Sequence, residues 1–368
     1  MRNKFIVMFF TFLFMIAITP FVFGKLMNAK FNKMLENLKK QGIEIREIKN
    51  KSSYIQTDRV FKVKIPGKNL NLKEVDYIGA IVETKFKNLP VTTVDFLGDI
   101  KELKLKSADL TPYVKDKIKF IVITPNFKVY NYKVFDGNIV FPDSQIKWEK
   151  IKGTFKYPSK NYFESEKIKL IFKNLSLSIE NLKNDYQKEK EFLKNLLSFD
   201  SVVEVGKNKF FVRKVFFNNV ANFNTASLDI NGGFDNLTLN DIFKVKKVDL
   251  NLSFYEFNKE LFYRFIYMND EKAASKLFKE NFKFNGGLSV KELDYLNKNL
   301  GFLKLKANGN KEDFNITLST TQQLAGIIIM FIPQMAIILN EANVVDDKIY
   351  LKIEVKKGKI IVNGKSFN

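Results

Sequence analysis

The chain has 368 residues, no cysteine, no histidine and a formal net charge of +21. The missing cysteine excludes disulfides, thiolate nucleophiles and cysteine metal sites, and the missing histidine excludes the commonest general base and metal ligand. Hydrophobic residues make up 45% of the chain, which excludes a disordered protein and is ample for a packed core.

The positive charge favours contact with anionic surfaces such as lipid headgroups, acidic glycans or nucleic acid. Nucleic-acid binders usually gather their basic residues on one helix or face and interleave them with aromatic platforms. Here the lysines are spread along the chain and alternate with apolar residues, as in Lys62-Val63-Lys64-Ile65. This pattern is typical of the solvated faces of strands, so we expect no nucleic-acid partner.

An uncharged run of 20 residues, from Phe5 to Gly24, follows a short basic start. A helix of about 20 apolar residues rises about 30 Å, which matches the hydrocarbon thickness of a bilayer. The run is longer than the apolar core of about 7 to 15 residues in a secretory signal, so we favour an uncleaved transmembrane anchor over residues 1–24. Small or modest residues before Lys25 leave a cleaved signal as the alternative.

More lysines follow this run than precede it, which by the positive-inside rule favours a cytoplasmic body. Long domains, however, cross membranes largely regardless of charge. The rest of the chain carries no cytosolic enzyme motif. We therefore expect a single-pass membrane protein whose body is exported across the membrane.

An amphipathic stalk helix is predicted over residues 25–42, because apolar residues recur at helical spacing between lysines and Gly42 provides a stop. We expect its apolar stripe to pack on the following domain, with a helix lying in the lipid interface as the alternative. The stripe consists of Met27, Phe31, Met34, Leu35 and Leu38.

From Ile43 onward the periodicity changes from 3.6 to 2, and residues 43–368 are predicted to form a β-rich body. A phase change across Lys173-Asn174 suggests a bulge. The chain closes with a predicted hairpin whose turn lies at Lys356-Lys357-Gly358. Strands are predicted near residues 43–45, 61–65, 77–86, 103–105, 118–122, 127–135, 151–157, 168–172, 175–179, 202–205, 210–217, 226–230, 248–254, 303–307, 314–318, 348–355 and 359–363.

Helical spacing also predicts a helix over Asn184 to Leu197, with an internal subdivision of the body near residues 184–200, and helices over 257–267 and 271–278. Gly232-Gly233 and Gly286-Gly287 read as turns. The apolar run from Leu324 to Leu339 is short for a membrane span and broken by Pro333, so a kinked helix buried against the sheet is favoured over a second span. The fold class is therefore α+β, mainly β, with long antiparallel curved sheets and a few packed helices behind the transmembrane helix.

The arrangement of membrane segment, stalk, long β-rich body and closing hairpin resembles the YdgA-like family of bacterial envelope proteins, whose function is unknown. The resemblance also includes Phe234-Asp235-Asn236-Leu237-Thr238-Leu239, Val248-Asp249-Leu250-Asn251-Leu252-Ser253-Phe254 and Ile360-Ile361-Val362-Asn363-Gly364-Lys365. Members often carry a His-Gly-Pro string after the early strands, where this chain has Lys87-Asn88-Leu89-Pro90. The resemblance implies an inner-membrane anchor with the body in the periplasm, and it carries no catalytic residues over to this chain.

No phosphate loop, serine elbow, zinc helix or EF-hand loop is present in the sequence. Ser366 beside Lys365 and Ser275 beside Lys276 are interpreted as surface pairs, because neighbours on a strand point to opposite faces. Glu164 with Glu166 and Asp346-Asp347 are flanked by lysine, which disfavours a calcium site. We therefore predict no catalytic, cofactor-binding or metal residues, and no cofactor.

Asn251 and Asn315 both match the N-glycosylation pattern, with an acidic residue two positions earlier, and are candidate modification sites. Both lie in predicted strands. Such strings arise readily by chance in an Asn-rich chain, so unmodified strand residues are the alternative interpretation.

The 38 phenylalanines could all be core, or one face of a long sheet could form a trough for lipid tails or for an apolar segment of a partner. We favour a non-enzymatic envelope protein whose β-rich body binds or shields an amphiphile or a membrane-protein partner. A structural protein that self-associates is the first alternative, and an unrecognised hydrolase that uses carboxylate or Ser-Lys chemistry is the second. These hypotheses can be distinguished by whether other parts of the chain cover the apolar face of the sheet.

Overall fold

A computed structural model describes residues 2–70, 72–88, 93–107, 118–125, 129–156, 159–240, 242–268, 270–332 and 335–367. Within the first helix, side chains are described at Pro20 and from Val22 onward. The fold is mainly β with antiparallel pairing and a few packed helices, which confirms the predicted class. Contacts divide the chain into two compact units, residues 1–157 with 163–170 and residues 158–162 with 171–368.

The helices are α1 (Arg2–Lys40), α2 (Lys259–Met268), α3 (Glu271–Leu277), α4 (Gln322–Phe331) and α5 (Met335–Leu339), with a 3-10 turn at Gly67–Leu70. The strands of the first half are β1 (Glu44–Ser52), β2 (Gln56–Pro66), β3 (Val75–Lys87), β4 (Thr93–Leu105), β5 (Ile118–Pro125), β6 (Tyr130–Val134), β7 (Gly137–Val140), β8 (Ser144–Glu149), β9 (Ile151–Lys156) and β10 (Lys160–Phe172). Those of the second half are β11 (Leu175–Lys188), β12 (Phe192–Val205), β13 (Asn208–Asn222), β14 (Ser227–Leu239), β15 (Phe243–Tyr255), β16 (Lys283–Tyr295), β17 (Lys298–Asn310), β18 (Phe314–Thr321), β19 (Asn343–Val345), β20 (Lys348–Lys356), β21 (Lys359–Val362) and β22 (Lys365–Phe367).

The first unit is an antiparallel meander in which β1 to β6 pair in chain order, β9 joins β6, and β7 pairs with β8. The C-terminal half of α1 packs on β2, β3 and β4. Met27 and Phe31 are buried with Phe61, Phe86 and Val94. Residues 25–40 of the predicted stalk are therefore helical, as part of the longer α1, and the apolar stripe packs on the sheet.

The predicted membrane run from Phe5 to Gly24 lies within α1, but most of its side chains fall outside the described residues. In the part of the chain that the structure describes, no helix has both the length and the apolarity to cross a membrane. The transmembrane anchor therefore stays a prediction.

The second unit is a longer meander of β11 to β18, each paired antiparallel with its neighbour, followed by β20, β21 and β22. The short strand β19 also pairs with β20. The predicted closing hairpin is confirmed as β20 and β21. Seven strands of the second unit, β11 to β17, have 13 to 15 residues.

Four helices pack on this second sheet. α2 and α3 confirm the helices predicted near 257–267 and 271–278, and α4 and α5 confirm a helical segment between Leu324 and Leu339; Pro333 and Gln334 lie outside the described residues. Phe262 and Leu277 of the first pair are buried with Ala221 of β13. Ala325 and Leu339 of the second pair are buried with Leu318 of β18.

The prediction of a helix over Asn184 to Leu197 is wrong, because these residues form the end of β11, a turn and the start of β12. Apolar residues on both sides of the turn at 189–191 fall at helical spacing, and two register irregularities flank this hairpin. The β11–β12 register shifts between Glu180 and Lys183, where Asn181 has a φ of 54°, and the β12–β13 register shifts beside Asp200. Each shift moves the apolar positions by one residue, so period 2 is lost locally. The residues near 184–200 lie inside the second unit.

The two glycine pairs are not turns: Gly232-Gly233 lies within β14 and Gly286-Gly287 within β16. A Cβ at Gly232 would approach Phe217 Cδ2 to 3.0 Å, and one at Gly286 would approach Leu252 Cδ2 to 2.6 Å. The glycines therefore accommodate bulky neighbours on adjacent strands. The predicted bulge at Lys173-Asn174 is also wrong, since these residues form the turn between β10 and β11.

Candidate functional site

The register of the second sheet places apolar residues in rows that cross it. Residues directly opposite each other in antiparallel strands point to the same face, so each row identifies one face. One row joins Val248 of β15 to Val290 of β16 and Leu303 of β17, and the next joins Leu250, Leu288 and Leu305. Leu303 and Leu305 contact the core beneath α4 and α5, which shows that these rows lie on the helix-covered face.

Toward β13 and β14, the same face of the sheet reaches the hydrophobic core beneath α2 and α3. Leu228 and Phe254 form one directly opposed pair there and contact that core. Two residues further along β14, Ile230 pairs with Leu252, so it points to the same face. The apolar face therefore continues from one helical cover to the other.

The middle of this face lies outside both helix-covered cores. We call it the central apolar face. Phe217 is 38% exposed, and the other members are half-buried. No member belongs to a buried hydrophobic cluster among the described residues. The central apolar face consists of Phe217, Ile230, Phe234, Val248, Leu250, Leu252, Leu288 and Val290.

The central apolar face is large enough to hold an aliphatic chain. It covers four strands spaced about 4.8 Å apart and about four residues along each strand, which gives roughly 250 Å². Gly232, between Phe217 and Leu250 in one row, adds no side chain of its own and lets the Phe217 ring lie close to the backbone. An exposed apolar surface of this size is typical of interaction or ligand sites.

The opposite face of the same strands is polar. The residues that alternate with the central apolar face include Asn231, Asp229, Asn251 and Ser289. Ser253 donates a hydrogen bond to Asp229 at 2.6 Å on this face. The sheet is therefore amphipathic, with a solvated polar side and an apolar side that helices cover only in part.

Lysines line a shallow cleft on the polar side of β17, β18 and β20. Lys304, Lys306 and Lys352 surround Thr317 and Ser319 there. Lys352 is held by Glu354 at 2.7 Å, and the same contact lowers the pKa of the Glu354 carboxyl. The cleft is cationic and could attract an anion, but it is separated from the central apolar face by the sheet itself.

A second polar arrangement lies in the first unit, where α1 meets β2. Arg59 is 6% exposed and donates to both carboxylate oxygens of Glu47, at 2.8 and 2.9 Å, and to Asn32 Oδ1 at 2.7 Å. Its guanidinium lies 5.0 Å from the Phe31 ring centroid and 5.1 Å from that of Phe61. The hydrogen bonds from Arg59 lower the pKa of the Glu47 carboxyl. We call this arrangement the Arg59 latch, because it connects α1 to the sheet.

The candidate catalytic pairs do not converge on a site. Lys365 forms an ion pair with Glu341 at 2.7 Å, and Ser366 follows it on β22, where neighbouring side chains point to opposite faces. Glu164 pairs with Lys152 at 2.6 Å, and Glu166 pairs with Lys150. Within the described ranges, no group of three or more acidic residues is placed to hold a metal ion.

The structure separates the two candidate glycosylation residues. Asn251 is exposed on the polar face of β15, in the middle of the strand. Asn315 is half-buried on β18, its Nδ2 lies 3.5 Å from Asn308 Oδ1, and its own Oδ1 is buried. Of the two, Asn251 is the more accessible to a modifying enzyme.

The comparisons add no relative: no family model, no curated protein and no solved structure matches this chain. The resemblance to the YdgA-like family therefore stays a prediction.

The sequence predicted an apolar trough without naming its residues. The sequence of one strand shows which side chains alternate, but it does not show which rows of the sheet remain uncovered. The signal that could have located it is the apolar spacing shared by β14, β15 and β16.

Proposed function

We propose that the protein is a membrane-anchored envelope protein whose second unit binds the aliphatic part of an amphiphile on the central apolar face. The observation that carries this proposal is the partial cover of an apolar sheet face: helices pack at both ends and leave eight apolar side chains half-buried or exposed between them. The anchor itself is supported by the sequence from Phe5 to Gly24.

A lipid chain fits this face better than a second copy of the protein. Two copies that paired through their central apolar faces alone would bury roughly 500 Å² in total, whereas stable interfaces bury about 1,200 Å² or more. An extended acyl chain needs only a narrow apolar strip and gains about 25 cal/mol for each Å² that it removes from water.

The chain offers a clean labelling experiment, because it contains no cysteine. Leu250→Cys places a photoreactive benzophenone on the central apolar face, and Asn251→Cys places it one residue away on the polar face of the same strand. Each full-length variant is irradiated in membranes, and the adducts are identified by mass spectrometry. We expect a lipid adduct at position 250 and none at position 251.

Three other results would contradict the lipid proposal. An adduct with the mass of a second copy at position 250 would favour the self-associating structural protein. An adduct with a different membrane protein would favour a protein partner. Equal lipid labelling at positions 250 and 251 would show that the face has no selectivity for lipid. The hydrolase hypothesis predicts an enzymatic turnover that is the same in both variants. No convergent polar group among the described residues supports this hypothesis.

A further inference from the structure

α1 runs along β2, and the contacts between them follow the same order in both elements. Asn32 of α1 meets Arg59 near the start of β2. Further along, the backbone carbonyl of Gln41 accepts a hydrogen bond from Asn69 Nδ2, just beyond the end of β2, at 2.8 Å. The chain direction of α1 is therefore parallel to that of β2, and the N-terminal part of α1 lies toward the Ser52–Gln56 end of the sheet.

Gly24, the last residue of the apolar run, contacts this end of the sheet through Asn88. A Cβ added to Gly24 would come within 2.8 Å of Asn88 Cγ. Asn88 is 4% exposed and donates from Nδ2 to the carbonyls of Ser53 and Tyr54, at 3.0 and 3.2 Å. Its backbone N–H donates to the Ile55 carbonyl at 2.7 Å. One buried side chain thus fixes the β1–β2 turn beside Gly24.

The turn that Asn88 fixes presents two large apolar side chains to solvent. Tyr54 is 53% exposed and Ile55 is 58% exposed. On α1, Val22 and Leu26 flank Gly24 and are 51% and 47% exposed. All four belong to the first unit and lie around the same contact. We call Tyr54 and Ile55 the apolar tip.

Exposed lysines surround the apolar tip. Lys51 lies at the end of β1, and Lys87 at the end of β3. Lys25 follows Gly24 on α1 and is exposed. Asp58 faces both Lys51 and Lys85 across strand pairs, so the region carries an acidic group as well. Apolar and aromatic side chains ringed by lysine are typical of proteins that enter the headgroup region of an anionic bilayer.

Residues 2–23 of α1 continue in the N-terminal direction from Gly24 for about 33 Å, which is one bilayer thickness. If that part of α1 spans the membrane, Gly24 lies at the membrane surface, and so does the apolar tip. We propose that Tyr54 and Ile55 insert into the headgroup region of the bilayer beside α1, with Lys51 and Lys87 at the level of the lipid phosphates. This inference rests on the proposed membrane anchor and adds a second contact with lipid.

The test uses the full chain reconstituted into liposomes of phosphatidylglycerol and phosphatidylethanolamine. Ile55→Cys is labelled with an environment-sensitive fluorophore, and lipids brominated near the headgroup act as quenchers. We expect a blue-shifted emission that the brominated lipids quench, because interfacial side chains lie about 5–10 Å deep. Tyr54→Cys provides a second position should the first label disturb the turn.

Leu72→Cys is the matched control in the same unit. Leu72 is 44% exposed, and its N–H donates to the Gly67 carbonyl at the opposite end of β2, about 30 Å away at the usual rise per residue. Its label should remain unquenched. In a further variant, Lys51→Gln with Lys87→Gln should reduce the quenching at position 55 in anionic liposomes and leave it unchanged in neutral ones.

Alkaline extraction of the same liposomes separates this inference from the anchor. Release of the full chain would overturn the anchor and the inference together. A retained chain with a water-exposed, unquenched label at both positions 54 and 55 would overturn only the inference. A blue-shifted label that brominated lipids do not quench would assign the apolar tip to a protein contact and would also overturn it.

Discussion

Replacing Arg59 by methionine should release the C-terminal half of α1 from the sheet of the first unit. Methionine is similar in length and keeps most of the apolar packing between Phe31 and Phe61. What it removes is the charge and the three hydrogen bonds to Glu47 and Asn32. The experiment therefore isolates the polar part of the Arg59 latch from its apolar part.

The expected cost to the docking of α1 is about 2 kcal/mol. Glu47 lies on β1, so its ion pair with Arg59 joins two strands of the same sheet and does not hold α1 directly. Only the hydrogen bond from Arg59 to Asn32 reaches α1, and a hydrogen bond to a charged group contributes about 1.5–3 kcal/mol. Since each 1.4 kcal/mol is a factor of ten, the docked state of α1 should become roughly 30-fold less populated relative to the undocked state.

Hydrogen exchange, read by mass spectrometry on the full chain in nanodiscs, measures this directly. Peptides that cover Met27 to Leu38 should exchange roughly 30-fold faster in Arg59→Met, while those from β14 and β15 keep their rates. Arg59→Lys should show a smaller increase, because a lysine retains the charge without the bidentate geometry. Arg213→Met, at an exposed arginine of β13, is the control and should change nothing in α1. Unchanged exchange of α1 in Arg59→Met would refute the reasoning.

Three further predictions concern pH, a bulge and a helix. Because Arg59 lowers the pKa of Glu47 in the folded protein, their ion pair should stabilise the folded first unit above the unfolded pKa of Glu47 and lose that contribution as the pH falls through the folded pKa. Urea titrations at several pH values should show this loss, and Glu47→Gln should abolish it. Asp200→Ala should lower the free energy of unfolding by about 1–2 kcal/mol in urea titrations, because Asp200 accepts from the Lys214 N–H at 2.6 Å and from Asn181 Nδ2 at 2.9 Å. Phe262→Ala should cost about 3–5 kcal/mol in the same assay, because the ring is 1% exposed.

Each of these has a result that would contradict it. An unaltered pH profile in Glu47→Gln would assign the acid sensitivity to other carboxylates. Asp200→Asn keeps one of the two acceptor oxygens that Lys214 N–H and Asn181 Nδ2 use, so it should lose less than alanine, and an equal loss would argue against these hydrogen bonds as the cause. Phe172→Ala, at a ring that is 46% exposed, is the control for Phe262, and a comparable loss there would argue against the buried core as the cause.

The strand pattern was readable from the sequence wherever the alternation was continuous, as in β2, where Phe61, Val63 and Ile65 share one face. It failed where the backbone leaves the β region. In residues 184–197, a tight turn at 189–191 joins two strands whose apolar residues fall at helical spacing, so a hairpin looked like a helix. Local spacing cannot separate the two, because apolar residues three and four apart also occur on either side of a tight turn.

The glycine pairs show a different limit of the sequence. Gly232 looks like a turn residue, yet its role is to leave room for Phe217, which lies fifteen residues away on the neighbouring strand. This steric requirement arises only once β13 and β14 have paired, so the sequence alone does not show it. The Arg59 latch is similar: Glu47, Arg59 and Asn32 come from three elements, and no spacing rule brings them together.

The area of the second sheet that helices cover can be estimated from the lengths of its strands and helices. Nine strands, β11 to β18 and β20, span about 38 Å at the usual spacing and about 40 Å along their length, so one face measures roughly 1,500 Å². The four helices on it, α2 to α5, are 10, 7, 10 and 5 residues long. A helix rises about 1.5 Å per residue and is about 10 Å wide, so together they cover roughly 480 Å². Helices in the described part of the chain thus cover about a third of this face. The uncovered remainder includes polar residues such as Asn195 and Asn219, which share a row with Ile230, as well as the central apolar face of roughly 250 Å². The eight uncovered apolar side chains of the central apolar face are the physical reason to expect a lipid there.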